Sequence, residues 1–305
     1  MLGTTRAVMM SMSAALICAC GSTPTTPTPP LGPVAQVGSA TISRAAFDVR
    51  LHSTLTAINQ GGAPTGNATM EAQVRASVLR SLILDTIIAQ QAMGLGFAAT
   101  DAEVQAEVDR DAEAAGGLAA LQTQLAGAGG SIDQLKDEIH ATINEQRVED
   151  HFAAQRAAEA EQELATGADF AATATKLSDD TGTNTKGGDL GALGLGELKS
   201  YDPDFASAVT SLSPGQHTTT PIHDAGGYDI VMVYAATTTS RSVRHILIAA
   251  PVPYTVSNRP TWFTESLFST VAQYCQQNLL HVYITDAGAN PCTGAPTLGA
   301  SSPPG

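Results

Sequence analysis

The sequence predicts an α+β chain, with a predominantly helical first half followed by a small antiparallel sheet with helices. Three observations carry this expectation. Apolar residues recur at helical spacing through Glu71–Met93, and again from Ile132 almost unbroken to Leu164. After Gly167 the composition shifts towards Gly, Asp and Thr, and Ser178–Gly196 (SDDTGTNTKGGDLGALGLG) reads as a Gly-rich loop. Two strand-like segments follow, Tyr228–Tyr234 (YDIVMVY) and Val243–Ala249 (VRHILIA), joined by a polar Thr/Ser turn.

In chain order, residues 1–19 read as an export signal. Arg6 is their only positive charge, and the apolar run Ala7–Ala19 follows it. The run ends at Ile17-Cys18-Ala19-Cys20, which resembles a bacterial lipobox, whose last cysteine is acylated and becomes the mature N-terminus. The alternative is an ordinary signal peptide cut at an A-x-A-like site within Ala15–Ala19. Gly21–Pro33 (GSTPTTPTPPLGP) cannot pack a core and reads as a stiff tether, so residues 20–33 are expected to be a lipidated Cys20 plus a Pro/Thr tether. Acyl chains would hold the exported body at the outer face of the cytoplasmic membrane or in the periplasm without a spanning helix.

Residues 34–48 predict a short strand, a turn at Gly38 and a helix start at Ser43, with a Gly/Asn-containing loop at Gln60–Asn67. In the next helix Val74, Val78, Leu79, Leu82, Ile83 and Ile87 share one broad face, and Gly94 and Gly96 stop it. Thr100-Asp-Ala-Glu103 is a capping box, and Ser131-Ile-Asp-Gln134 reads as a second. Towards the end, an amphipathic helix is expected over Trp262–Leu280, then a strand at His281–Thr285. Gly294–Gly305 reads as a disordered tail.

Composition excludes several functions. The 305 residues hold 15 Lys plus Arg against 29 Asp plus Glu, for a net charge of −14. Nucleic-acid binding and polybasic membrane patches both need dense positive charge, so neither is expected. No apolar run reaches the roughly 18–20 residues of a membrane-spanning helix. With Cys18 leaving in the signal and Cys20 acylated, Cys275 and Cys292 remain in an oxidising compartment, as a disulfide or as two free thiols. No His or Cys cluster accompanies them. Lys186-Gly-Gly-Asp-Leu-Gly191 is neither a dinucleotide fingerprint nor a P-loop, and Asp179, Asp180 and Asp189 lack EF-hand spacing. No metal or cofactor is expected.

One ordered set of motifs is more informative. Leu164-Ala-Thr-Gly-Ala-Asp-Phe170 is followed by Ala174, Leu177-Ser-Asp-Asp180 and Lys186-Gly-Gly-Asp-Leu-Gly191. Then come Pro203-Asp-Phe205-Ala, Leu212-Ser-Pro-Gly215, Thr220-Pro221-Ile222 and Gly226-Gly-Tyr-Asp-Ile230. This succession resembles the parvulin (PpiC/rotamase) domain of peptidyl-prolyl cis–trans isomerases. The helical half is similar to the N-terminal chaperone region of SurA- and PrsA-type foldases, in Val34-x-x-Val37-Gly38 with Ile42-Ser43, the Leu79–Met93 helix, and Thr100-Asp-Ala-Glu103-Val104. The resemblance implies a helical chaperone-like domain at 34–160, a parvulin-like domain at 161–250, and a C-terminal helix and strand at 251–293. It implies a foldase that isomerises X-Pro bonds in unfolded or partly folded secreted polypeptides. The alternative is a weak or inactive parvulin-fold holdase.

The chemistry requires no strong nucleophile. Rotation about an X-Pro bond faces a barrier of ~18–20 kcal/mol because twisting breaks amide resonance. An apolar slot for the pyrrolidine ring, a dry surround and polar groups suited to the twisted amide suffice to lower it. By resemblance, Phe205 and Leu198 match the proline pocket, and Asp180 matches the position facing the twisted carbonyl. Phe205 as plain core and Asp180 as a loop cap remain open.

The pattern also breaks. Parvulins carry one histidine in an opening H-I-L strand and another in the closing G-Y-H-I strand, but here the closing position is Asp229 and the opening strand is missing. Val243-Arg-His245-Ile-Leu-Ile248 follows the closing strand instead. Three readings stand: a circularly permuted sheet that returns His245 to the site, the stub of a second domain, or an extra strand with an exposed histidine. Asp180, His245 and Asp229 form the candidate catalytic set, and the loss of an imidazole at 229 motivates the holdase alternative. His217 and His223 read as surface residues.

Overall fold

A computed structural model describes residues 32–61, 68–285 and 288–293. The signal, Cys20, nearly all of the tether and of the Gln60–Asn67 loop, and the tail lie outside the described residues.

The chain opens with a tight hairpin. Ala35–Val37 (β1) turns at Gly38 into Ala40–Ile42 (β2), a strand with no sequence signal of its own. Ser43 ends the hairpin by accepting from Ala46 N, which caps Arg44–Gln60 (α1). Ala68–Leu95 (α2) turns its apolar stripe, including Val78, Leu79, Ile83 and Ile87, into the core and stops at Gly96. Thr100 and Glu103 form both halves of the expected capping box at Asp101–Ala115 (α3), and Leu118–Gly127 (α4) follows. Ser131 caps the long Ile132–Ala165 (α5) through Gln134 N. The second capping box is only half made, because the Gln134 amide donates to Ser53 Oγ at 2.6 Å instead of returning to the cap.

Beyond α5 come Phe170–Leu177 (α6), Asp189–Gly194 (β3), Pro203–Ser211 (α7), Gln216–His217 (β4), Ile222–Asp224 (β5), Gly227–Ala236 (β6) and Ser240–Ala249 (β7). The presence of β3 corrects the sequence expectation: the Gly-rich stretch is not all loop. Glycines removed the alternation that marks a strand, yet β3 pairs with β7 from Asp189 to Gly194, with a bulge between Asp189 and Gly191. The sheet order is β3-β7-β6-β4, all antiparallel, with β5 also on β6. The hairpin of β6 with β7 sets Val231 opposite His245. Strand β7 is therefore interior, flanked on both sides.

Thr261–Gln276 (α8) ends earlier than expected, before Asn278 in the left-handed region, and Leu280–Val282 (β8) follows. This strand returns to the start of the folded chain: the second sheet is ordered β2-β1-β8. Cys275 and Cys292 are joined in a disulfide with Cα atoms 5.4 Å apart.

The core follows this topology. Val34, Val37, Phe47, Leu79, Ile83 and Ile87 pack with Leu280 and Ala289. A second cluster joins Val148–Leu164 of α5 to Phe170, Trp262 and Phe263 and to one sheet face, Ile230, Ile246 and Ile248. The opposite face, Val231, Val233 and Val243, packs under Phe205 and Val209 of α7. The core thus runs across position 160, with the sheet covered on both faces. Among the described residues, no helix is long and apolar enough to cross a membrane.

Candidate active site

Strand periodicity brings two of the candidate residues together. With Val231 opposite His245, Asp229 lies two residues away on the same face, a diagonal neighbour. His245 Nδ1 meets Asp229 Oδ1 at 2.7 Å. Its Nε2 meets Asp180 Oδ2 at 2.9 Å, and the Thr183 hydroxyl, 3.2 Å from Nε2, also donates to Asp180. A carboxyl group at each ring nitrogen favours the doubly protonated ring, in which both nitrogens donate. Burial opposes that charge, but Asp229 and then Asp180 outweigh it and hold the His245 pKa up. Burial dominates at Asp229 and pushes its carboxyl up despite His245. At Asp180 burial is outweighed by hydrogen bonds from Thr183, His245 and Gly182 N, and its pKa falls.

The loop that carries Asp180 is stitched to β7. Ser178 Oγ accepts from Leu247 N at 3.1 Å, Asp179 N donates to Leu247 O at 2.7 Å, and Asp179 Oδ2 accepts from Ala249 N at 2.9 Å. Gly188 O accepts from His245 N at 2.9 Å. The Ser-Asp-Asp and Gly-Gly-Asp-Leu-Gly motifs therefore grip the same strand on either side of His245. Asp180 both meets His245 and caps its own turn, accepting from Gly182 N at 3.0 Å.

Phe205 stands edge-on to His245, ring centroids 6.4 Å apart at 85°. Phe205 is only 4% exposed and packs with Leu198, Leu193, Val209 and Val231, so both pocket candidates are core, and Phe205 is also a neighbour of the histidine. The exposed Tyr201 stacks on Phe205 at 5.2 Å and 13°. Sequence reasoning missed Tyr201, Asp179 and Thr183. The readable signals were Thr183 three residues past Asp180, at turn spacing, and an aromatic four residues before Phe205. His217 lies 3.7 Å from Glu161 and is half-buried, while His223 stacks on Tyr228 and approaches Asp150 at 3.2 Å. Among the described residues, no group of three His, Cys, Asp or Glu is arranged to hold a metal ion.

Comparison with known proteins adds an independent line. Residues 134–235 match the family profile described as the PPIC-type PPIASE domain, and residues 6–149 match the SurA-like N-terminal domain. Strand β7, with His245, lies beyond both matches. Foldase protein PrsA of Clostridium botulinum is 38% identical over 65 residues, 21% of this chain and 19% of that protein. Foldase protein PrsA 4 of Bacillus cereus is 31% identical over 121 residues, 32% of this chain and 42% of that protein. The matched stretches thus span less than half of these relatives. Among solved structures, PrsA from Bacillus anthracis aligns at 18% identity and a TM-score of 0.26, covering 68% of this chain and 99% of that one. PrsA from Lactococcus lactis aligns at 14% and 0.30, covering 83% and 95%.

Proposed function

We propose that this chain, which carries a PPIC-type peptidyl-prolyl isomerase domain behind a SurA-like N-terminal domain, is an exported, lipid-anchored foldase that accelerates cis–trans rotation about X-Pro bonds in secreted polypeptides. The observation that carries the reading is His245 held between Asp180 and Asp229 with Phe205 against its edge. Planar amide resonance places partial negative charge on the carbonyl oxygen, and twisting removes it. A carboxylate facing that oxygen disfavours the planar state more than the twisted one, which lowers the barrier by differential binding. In this scheme Asp180 faces the carbonyl, His245 fixes Asp180, and Asp229 fixes His245. Phe205 and Leu198 receive the pyrrolidine ring once Tyr201 moves aside. The interior position of β7, paired with β6, supports a permuted sheet in which this strand stands in for the missing opening strand.

A proline-peptide isomerisation assay on protein beginning at Gly32 tests this. The wild type is expected to accelerate rotation, and His245→Gln and Phe205→Leu to lose about tenfold or more, on the order of 1.4 kcal/mol of barrier. No acceleration, with suppression of client aggregation retained, would replace the isomerase with the holdase reading that Asp229 and the covering Tyr201 favour. Labelling with palmitate, abolished by Cys20→Ala, tests the anchor.

A further inference from the structure

Helix α5 carries a buried carboxyl group with one oxygen that has no hydrogen-bond partner among the described residues. Glu149 is 2% exposed, and its Oε2 is fully buried without a hydrogen-bond partner. A buried, unpaired acceptor costs about 1–3 kcal/mol, and more when charged. The group lines an open cleft of about 660 Å³ bounded by α5, the segment leading into α3 with Glu103, His223 of β5, and residues 250–252. That volume lies within the ~300–1,000 Å³ usual for ligand sites.

The wall around Glu149 is already committed. Arg147 pairs with Glu103 and donates to the carbonyls of Phe97 at 3.1 Å and Ala98 at 3.4 Å. Arg259 is engaged by Glu145 and by the Tyr254 hydroxyl at 3.1 Å. Asp150 accepts from the Tyr228 hydroxyl at 3.0 Å. Both arginines are engaged elsewhere, and among the lining residues Glu103, Glu149 and Asp150 face Arg147 as the one Lys or Arg. The lip is apolar, with Phe97 and Val252 both lining the cavity and exposed. An apolar entrance leading to this carboxyl fits a side chain with an aliphatic stem and a cationic head, whose charge takes the place of the proton that burial keeps on Glu149 in the empty site.

We propose that this cavity is a second polypeptide-binding site, separate from His245, that seats a lysine or arginine side chain of an extended client, the stem against Phe97 and Val252 and the head on Glu149. The proposal rests on the foldase reading for its class of ligand but not for its chemistry.

The test is fluorescence anisotropy on the full-length protein with labelled, proline-free peptides sharing one apolar frame and differing at a central Lys, Arg, Leu or Glu. The Lys and Arg peptides are expected to bind about tenfold more tightly than the Leu peptide. Glu149→Gln is expected to abolish that preference and leave the Leu peptide's affinity unchanged. Phe97→Ser, at the exposed lip, is expected to weaken the Lys, Arg and Leu peptides alike. Equal binding of the Lys and Leu peptides by the wild type, or a preference that survives Glu149→Gln in protein of unchanged circular dichroism, overturns the site. Isomerase activity measured on the same preparations separates the two readings: a Glu149-dependent preference without activity removes only the isomerase, and activity without the preference removes only this site.

Discussion

Gly188 lies so close to His245 that a Cβ on the glycine would sit 2.0 Å from the histidine's carbonyl oxygen. Its φ of 72° is also in the left-handed region, and its own carbonyl accepts from His245 N. Gly188→Ala is therefore expected to cost about 2–4 kcal/mol, combining a left-handed penalty with forced separation of the loop from β7. Urea denaturation measures it, and a variant within about 0.5 kcal/mol of the wild type would contradict the close packing.

The carboxylates on either side of His245 set its charge. Asp229→Asn removes the larger of the two influences, so the His245 pKa, held above the ordinary imidazole value in the wild type, is expected to fall. Titration of the ring resonances by NMR reads this directly. An unmoved titration would mean that Asp229 does not hold the imidazolium.

Stability should decline from mildly acidic to mildly alkaline pH. Burial raises Glu149 to about 8 and Asp85 to about 6, and His245 is raised by its two carboxylates against its own burial. Each of these groups keeps its proton in the folded chain at pH values where the unfolded chain has released it. Their contribution is complete below the unfolded pKa values and is lost as pH rises through the folded ones. Asp180, lowered, works the other way and contributes only above its unfolded value, a contribution lost as pH falls through the folded one. The urea midpoint is expected to fall between pH 5 and pH 8, by at most about 1.4 kcal/mol per pH unit for each group. Glu149→Gln should flatten the profile, and a slope unchanged in that variant would show that Glu149 is not the proton holder.

Tyr201 covers the ring that a proline must reach. Tyr201→Ala is expected to cost about 1 kcal/mol of stability, the worth of one aromatic stack, while lowering the KM of an X-Pro peptide. A raised KM would make Tyr201 part of the pocket rather than its cover.

Reduction of Cys275–Cys292 opens a loop with a sequence separation of 17 and is expected to cost about 2–4 kcal/mol, read as a shift in the denaturation midpoint on adding reductant. Double replacement by serine should give the same shift in oxidising buffer. No shift in either experiment would mean that the link adds nothing to the fold.

The helices were legible because capping and periodicity are local: Ser43, Thr100 and Ser131 mark their own helix starts. Asp180 and the glycine motif were legible by resemblance, and β7 as an apolar run. Strand β3 was hidden because its six residues include glycines at 191 and 194, which leave no side-chain alternation to read. Strand β2 and the β1–β8 pairing were illegible for another reason. Three-residue strands carry almost no pattern, and the partners are distant in sequence. The company kept by Glu149 was invisible for the same reason, since it depends on which donors of other segments are already engaged.

The pairing of β1 with β8 has a consequence for how the chain is made. Synthesis delivers residues 35–37 early, yet their second partner, residues 280–282, emerges only after α8. Until then one edge of β1 stays unpaired, and the pocket of Val34, Phe47 and Leu79 lacks Leu280 and Ala289. The helical body is begun first and completed last, and everything from α6 to β7 arrives as an insertion between its halves. Such long-range closure slows folding and leaves apolar surface open while the chain is being delivered. A nascent chain halted before residue 280 would present an open strand edge at β1.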